Sequence, residues 1–246
     1  MPRSSSNPSH SLRNQVALIT GATRGIGLAI ARALAAEGCN LILTGRDHSA
    51  LSKVSRELAS PKIKILAHPC DLRSPQSINE LSLAVRKQFK RIHILINNAG
   101  IAHANFTVDK LPLQLWRDVI DTNLTGTFLL TQAALPIMKR GATIVNNLSV
   151  AANRVFAGSA AYIASKHGAL GLTNTLREEL RPQGIRVIAL MPGATSTEIW
   201  NTFWPEAPRE KMMSTATIAT AVVNAILLPP NATVEAIEIL PTAGLL

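Results

Sequence analysis

Tyr162 and Lys166 stand four residues apart in Tyr162-Ile-Ala-Ser-Lys166, with Ser149 thirteen positions upstream. On a helix, side chains at i and i+4 share a face, so the phenol and the ammonium can reach one site together. A free tyrosine has a pKa of about 10, so at pH 7 roughly one molecule in a thousand is ionised. A fixed cation nearby favours phenolate, each unit of lowering being worth about 1.4 kcal/mol. Such a tyrosine can give or take a proton near neutral pH. By itself a Tyr-x-x-x-Lys pair is usually an ordinary helix face, so the weight falls on what accompanies it.

The companion motif is Thr20-Gly21-Ala22-Thr23-Arg24-Gly25-Ile26-Gly27. It follows the apolar run Val16-Ala17-Leu18-Ile19 and precedes Leu28 to Leu34, which has helical periodicity. A strand, a glycine turn and a helix in that order form a phosphate cradle. The glycines let the backbone turn sharply and let a pyrophosphate approach, and the free N–H groups at the helix start attract its charge. The spacing is G-x-x-x-G-x-G, which differs from the common G-x-G-x-x-G dinucleotide motif.

Seven strand-like runs must position these residues, near 16–20, 40–44, 63–67, 93–97, 143–148, 185–191 and 235–240. Helical patterns fill the intervals at roughly 25–37, 48–59, 75–90, 112–138, 160–181 and 214–228. Strict β–α alternation implies a parallel sheet with helices on both faces, a doubly wound three-layer α/β/α fold. Ser74-Pro75 and the glycines at 38, 141 and 184 make sensible boundaries. Ligands of such sheets bind beyond the carboxyl ends of the strands, where the strand order switches. Gly21, Arg46, Asp71, Asn97 to Gly100, Ser149 and Pro192-Gly193 follow or close successive strands, so one crevice should receive them all.

Composition narrows the classes. The 246 residues suffice for one large α/β core, and 47% hydrophobic against 16% charged residues describes a globular chain. Residues 1–13 are polar and proline-bearing and read as a loose tail, with a single domain over 14–246. The tail lacks the apolar core of a secretory signal, and no run of eighteen apolar residues predicts a membrane span. Cys39 and Cys70 lack disulfide or metal spacing and read as buried reduced thiols of a cytoplasmic protein; no metal is expected. The net charge of +10 raises the question of nucleic acid. The basic residues are scattered, and the densest group, Arg86-Lys87 with Lys90-Arg91, suits a helix C-terminus, so no nucleic-acid partner is expected.

Taken together, the glycine turn, Asp71-Leu72, Asn97-Asn98-Ala99-Gly100, Asn123, Ser149, Tyr162 with Lys166, and Pro192-Gly193 resemble the short-chain dehydrogenase/reductase family in its form of roughly 250 residues. The resemblance covers nearly the whole chain after residue 13. It implies a Rossmann-like sheet in the order 3-2-1-4-5-6-7 and hydride transfer between a nicotinamide cofactor and a carbonyl or secondary alcohol substrate. It implies that Tyr162 exchanges a proton with the substrate oxygen, that Lys166 lowers the tyrosine pKa and holds the nicotinamide ribose, and that Ser149 polarises the carbonyl. Asn123 would help hold a water in a proton relay. Gly21, Thr23, Arg24, Gly25, Ile26, Gly27, Arg46, Asp71, Leu72, Asn98, Ala99, Gly100, Pro192, Gly193, Thr195 and Thr197 would join Tyr162 and Lys166 around the cofactor, with Asp71 on adenine and Asn98 near the adenosine ribose. Asn97 reads as structural. The family's long helices pair across a two-fold axis, so 112–138 and 160–181 predict a homodimer or homotetramer.

The phosphate state of the cofactor follows from charge. Enzymes selecting NAD usually place an acidic residue after the second strand. Here Gly45 stands there, followed by Arg46, which with Arg24 could bind a 2′-phosphate, so NADP(H) is expected over NAD(H). Asp47 could approach the ribose after a modest loop shift. Trp200, Phe203 and Trp204 could form an apolar lid or a subunit contact, while His103 and Asn153 read as surface polar residues more than pocket residues. The ending Val234 to Leu246 lacks the glycine-rich close common in 3-oxoacyl-carrier-protein reductases of this family. Asn147-Leu148 departs from the usual hydrophobic-Ser pair before the serine. A silent NADP(H)-binding regulatory protein is the alternative from another class. A serine hydrolase is disfavoured, since no G-x-S-x-G elbow occurs.

Overall fold

Seven strands form one sheet: β1 (Val16–Thr20), β2 (Asn40–Gly45), β3 (Ile65–Pro69), β4 (Ile92–Asn97), β5 (Met138–Asn147), β6 (Arg186–Pro192) and β7 (Ala236–Ile239). All neighbours are parallel, in the order β3-β2-β1-β4-β5-β6-β7, as the resemblance implied. The computed structural model describes residues 11–245. The β1 sequence VALIT is buried along its whole length because both faces are covered. Ala17 and Ile19 enter one core with α1 (Gly25–Ala36), α2 (His48–Leu58) and α8 (Thr215–Ile226), through Ile30, Leu34, Leu51, Ile218 and Val222. Val16 and Leu18 enter the other, with α3 (Pro75–Gln88), α5 (Gly126–Ala134) and α6 (Ala160–Leu180), through Ile78, Leu81, Leu130 and Leu176. A pleated strand sends alternate side chains to opposite faces, so one short apolar run supplies two cores.

Helix starts follow local chemistry. The Ser74 hydroxyl accepts from the Ser77 amide with Pro75 in the first turn, and Ser214 accepts from the Thr217 amide at the start of α8. Asp47 caps α2 by accepting from the Ala50 amide at 3.0 Å.

Several expectations change. The helix foreseen over 112–138 is α4 (Leu113–Ile120), a π turn at Asp121–Thr125, α5, and a 3-10 turn at Leu135–Ile137 that contains Pro136. Residue 138 already belongs to β5, whose pairing with β4 shifts register between Ile92 and Ile94. β3 begins two residues later than the apolar pattern suggested. A four-residue helix, α7 (Trp200–Phe203), was not foreseen. Residues 1–10 of the expected tail lie outside the described residues. Leu12, also assigned to the tail, is buried, and its carbonyl accepts from the Cys39 thiol at 3.3 Å, so packing starts before residue 13. Among the described residues no helix is long and apolar enough to cross a membrane.

Candidate active site

The chain reverses its direction of winding between β1 and β4, and the crevice this opens at the carboxyl ends of the strands is a cavity of about 930 Å³. That volume lies in the upper part of the range of about 300–1,000 Å³ for ligand pockets. Ser149, Tyr162, Lys166 and almost every residue assigned to the cofactor from sequence line this one cavity. Gly27 and Asn123 do not line it, and both act from behind its wall.

Gly27 is buried at the base of the glycine turn. A Cβ there would stand 2.3 Å from the Gly21 carbonyl oxygen and 2.4 Å from Asn98 Nδ2. Gly21 itself has φ +61°, a conformation natural to glycine. The turn is tied down from β4: Asn98 and Ala99 donate their amides to Thr20 Oγ1 at 2.8 and 2.9 Å, and Asn98 Nδ2 donates to the Thr20 carbonyl at 2.9 Å. The N-terminus of α1 carries no side-chain cap and no acidic residue in its first turn, so its amides are open to an anion. Close backbone approach, an open helix start, and Arg24 and Arg46 on the same wall fit a dinucleotide phosphate.

Asp47 also lines the cavity, but its carboxylate is engaged as the cap of α2. Asp71 is gripped by Arg73, whose Nη2 donates to Oδ2 at 2.8 Å while Nη1 reaches Asp118 at 2.9 Å. Those bonds to Arg73 hold the Asp71 carboxyl below its ordinary range, leaving an ionised acceptor on the cavity wall.

Tyr162 and Lys166 share one face of α6 and are buried, at 8% and 6% exposure. Lys166 Nζ lies 5.5 Å from the Tyr162 ring centroid and donates to the Asn147 carbonyl at 3.0 Å. Burial pushes the phenol up to about 12, with the Ser149 hydroxyl offsetting part of the rise, and pushes the ammonium down to about 8. This corrects the expectation that the lysine dominates the tyrosine. With both groups withdrawn from water, desolvation outweighs their mutual interaction and the phenol keeps its proton at neutral pH. Ser149 does not end β5. It follows it at φ +122° and ψ 160°, a region nearly reserved for glycine that costs about 1–3 kcal/mol, with its hydroxyl accepting from the Ala151 amide at 3.2 Å.

The Asn123 side chain is engaged within the protein. The π turn carries its side chain inward, where Oδ1 accepts from the Ile101 amide at 2.8 Å. Its Nδ2 donates to the Ile101 carbonyl at 2.9 Å and to Ser165 Oγ at 3.1 Å. It clamps the backbone after Gly100 against α6 and so fixes the wall beside Lys166. Asn98 lines the cavity, yet its amide is spent on the glycine turn and on accepting from Asn147 Nδ2 at 2.9 Å. Its backbone N–H is likewise taken, by Thr20 Oγ1 at 2.8 Å. Asn97 is structural, donating to Thr131 and Asn146.

Asn147 is the residue sequence reading undervalued. Its carbonyl holds Lys166 and its side chain holds Asn98, so it joins the lysine to the glycine turn. The signal was present as the Asn146-Asn147 pair closing an apolar strand. Arg73 was missed although Asp71 is two residues away; its second partner, Asp118, is 45 residues away.

Phe203 packs edge-on against Tyr162, with centroids 4.8 Å apart, and Trp200, Phe203 and Trp204 all line the cavity. Trp200 Nε1 donates to the Thr195 carbonyl at 2.9 Å, securing this cover to the segment after β6. His103, read as a surface residue, is buried, with Nδ1 bonded to the Ala104 carbonyl. Asn153 faces Glu238 away from the cavity.

A doubly wound sheet with an open helix start and a Ser-Tyr-Lys cluster at its switch point defines a nucleotide-binding oxidoreductase site. A family model described as short chain dehydrogenase matches residues 15–208, and the chain belongs to that family. It is 39% identical to a 3-oxoacyl-[acyl-carrier-protein] reductase of Aquifex aeolicus over 76% of this chain and 77% of that protein. It is 33% identical to sulfoacetaldehyde reductase 2 of Chromohalobacter salexigens over 93% of this chain and 95% of the relative. Among solved structures, the alcohol dehydrogenase of the archaeon Thermococcus sibiricus, complexed with 5-hydroxy-NADP, matches with TM-score 0.87 at 30% identity. That match covers 94% of this chain and 97% of the other.

Proposed function

We propose that this protein is an NADP(H)-dependent reductase of carbonyl compounds, working reversibly on secondary alcohols, with Tyr162 as its acid and base. The observation that carries the reading is the cluster of Ser149 with the buried Tyr162 and Lys166 at the end of a cavity whose other end is an open helix start with two arginines. Bound there, the dinucleotide supplies the hydride. The phenol, neutral at pH 7, donates its proton to the substrate oxygen, which the Ser149 hydroxyl holds by a hydrogen bond. Lys166 keeps its ammonium toward the nicotinamide ribose, and the Asn147 carbonyl fixes its direction. Arg46 and Arg24 take the 2′-phosphate, Gly45 leaves room for it, and Asp71 accepts from adenine.

Arg46→Asp tests the cofactor choice. It replaces a phosphate partner with a repelling charge, so the NADPH-to-NADH ratio of kcat/KM should fall by roughly 100-fold, as for loss of a charge-assisted contact plus added repulsion. Equal ratios before and after would remove Arg46 from the phosphate site. Detectable NADPH binding without turnover of any carbonyl compound would favour the silent regulatory alternative.

The depressed lysine predicts a pH dependence. Cofactor phosphates and ribose favour the charged form of Lys166, and in the free protein that form is lost as pH rises through about 8. NADPH affinity should therefore be full below pH 7 and weaken several-fold by pH 9, measured by cofactor fluorescence titration. A Lys166→Met variant should bind more weakly at pH 7 and lose this dependence.

The same reading carries a homodimer or homotetramer, supported by the exposed apolar Leu113, Trp116 and Phe128 on α4 and α5. Free, buried Cys39 and Cys70 suit a reducing cytoplasm.

A further inference from the structure

We infer that the substrate is an uncharged ketone bearing a hydrocarbon ring, and that carbonyl compounds with a carboxylate or sulfonate near the reacting carbon are poor substrates. The inference rests on the reductase reading above and adds the chemical class the site selects.

Charge is distributed unevenly around the cavity. Among the described residues lining it, the cations are Arg24, Arg46 and Lys166. Arg24 sits at the start of α1, and Arg46 follows β2 close enough to Asp71 to depress its carboxyl. Lys166 donates to the Asn147 carbonyl at 3.0 Å and, in the reading above, gives its remaining N–H groups to the nicotinamide ribose. Arg209 follows α7, but its Nη1 donates to the Thr197 carbonyl at 2.6 Å and its Nη2 to Asn201 at 2.8 Å. Arg154 is paired with Glu238 at 2.6 Å. Glu198 adds a negative charge to the cavity, its carboxylate 3.8 Å from where a Cβ on Gly25 would stand. An anionic group on a substrate whose carbonyl reached Tyr162 would thus be buried without a partner cation.

The walls at that end are carbon. Phe203 meets the Tyr162 ring edge-on, Trp200 lies 6.3 Å from Phe203, and Phe156, Ile199 and Trp204 complete the surface. Phe156 and Trp204 are 40% and 43% exposed, so they offer apolar area to a bound molecule. Asn105 and Ser159 there are already paired: Asn105 Nδ2 donates to the Phe203 carbonyl at 3.4 Å, and Ser159 Oγ donates to Asn105 Oδ1 at 3.5 Å. Flat rings pack on such walls edge-to-face or offset, whereas an unpaired carboxylate pays its full desolvation.

The test compares two methyl ketones with the same three-carbon spacer, 5-phenylpentan-2-one and 5-oxohexanoate, by NADPH consumption. The phenyl ketone should have a kcat/KM about 100-fold higher, since one class gains apolar burial and the other strands a charge. Methyl 5-oxohexanoate, which removes the charge alone, should fall between them. Phe203→Ala should lower kcat/KM for the phenyl ketone about tenfold, mostly through KM, without weakening NADPH binding. Equal or preferred use of 5-oxohexanoate would overturn the substrate class and leave the reductase intact. Consumption of neither ketone by protein that binds NADPH would overturn the reductase reading and this inference with it.

Discussion

Tyr162→Phe should leave a folded protein that binds NADPH and reduces its ketone at least about 10²–10⁴-fold more slowly, the usual cost of losing a general acid. The substitution removes one oxygen and keeps the ring, so the edge-on contact with Phe203 and the face beside Lys166 survive. Circular dichroism and cofactor titration would report that survival, and single-turnover kinetics would report the chemical step. The pH profile carries a second discrimination. With the phenol pushed up to about 12, the neutral donor persists across the working range, so the first alkaline decline in kcat/KM should come from Lys166 near pH 8. Retention of more than a tenth of wild-type kcat by folded Tyr162→Phe would require another acid. His167, next along α6, is turned away, its ring nitrogen bonded to the Ile163 carbonyl at 3.1 Å.

Gly27→Ala should abolish useful cofactor binding. Its methyl group would arrive 2.3 Å from the Gly21 carbonyl oxygen and 2.4 Å from Asn98 Nδ2, distances no Cβ tolerates. The atoms in the way are a backbone carbonyl and an amide already bonded to Thr20, so relief means moving the phosphate turn itself. Overpacking of this kind costs about 1–3 kcal/mol in stability. The larger loss is functional, because the displaced turn is the proposed pyrophosphate site: NADPH affinity should fall by about 100-fold or more, with a lower Tm. Gly171→Ala is the matched control. That glycine lies in α6 with nothing within 4 Å of its added Cβ, and the change should be neutral or stabilising by about 0.5–1 kcal/mol. Gly27→Ala with wild-type affinity would separate the turn's geometry from cofactor binding.

Much of the fold could be read from the chain because its signals are local. The run from Val16 to Ile19, the glycines after it and the periodicity of Leu28 to Leu34 specify strand, turn and helix within twenty residues. Repeating that alternation is enough to predict a parallel sheet. Strand order came from resemblance, since pairing of β1 with β4 joins residues more than seventy positions apart. Tyr162 and Lys166 were legible for the same local reason, an i,i+4 spacing on one helix face. The errors arose where a neighbour distant in sequence decides. Leu12 looked like tail until Cys39 met it, and His103, which looked exposed, is buried. The side chains of Asn123 and Asn98 hold Ile101 and the glycine turn, contacts that spacing alone did not show. Residue type and spacing alone determined which groups could do chemistry and on which elements they ride. Tertiary structure decided their electrostatic state and their partners, raising the phenol and lowering the ammonium. Desolvation depends on everything packed around a group, and no short window of sequence contains that.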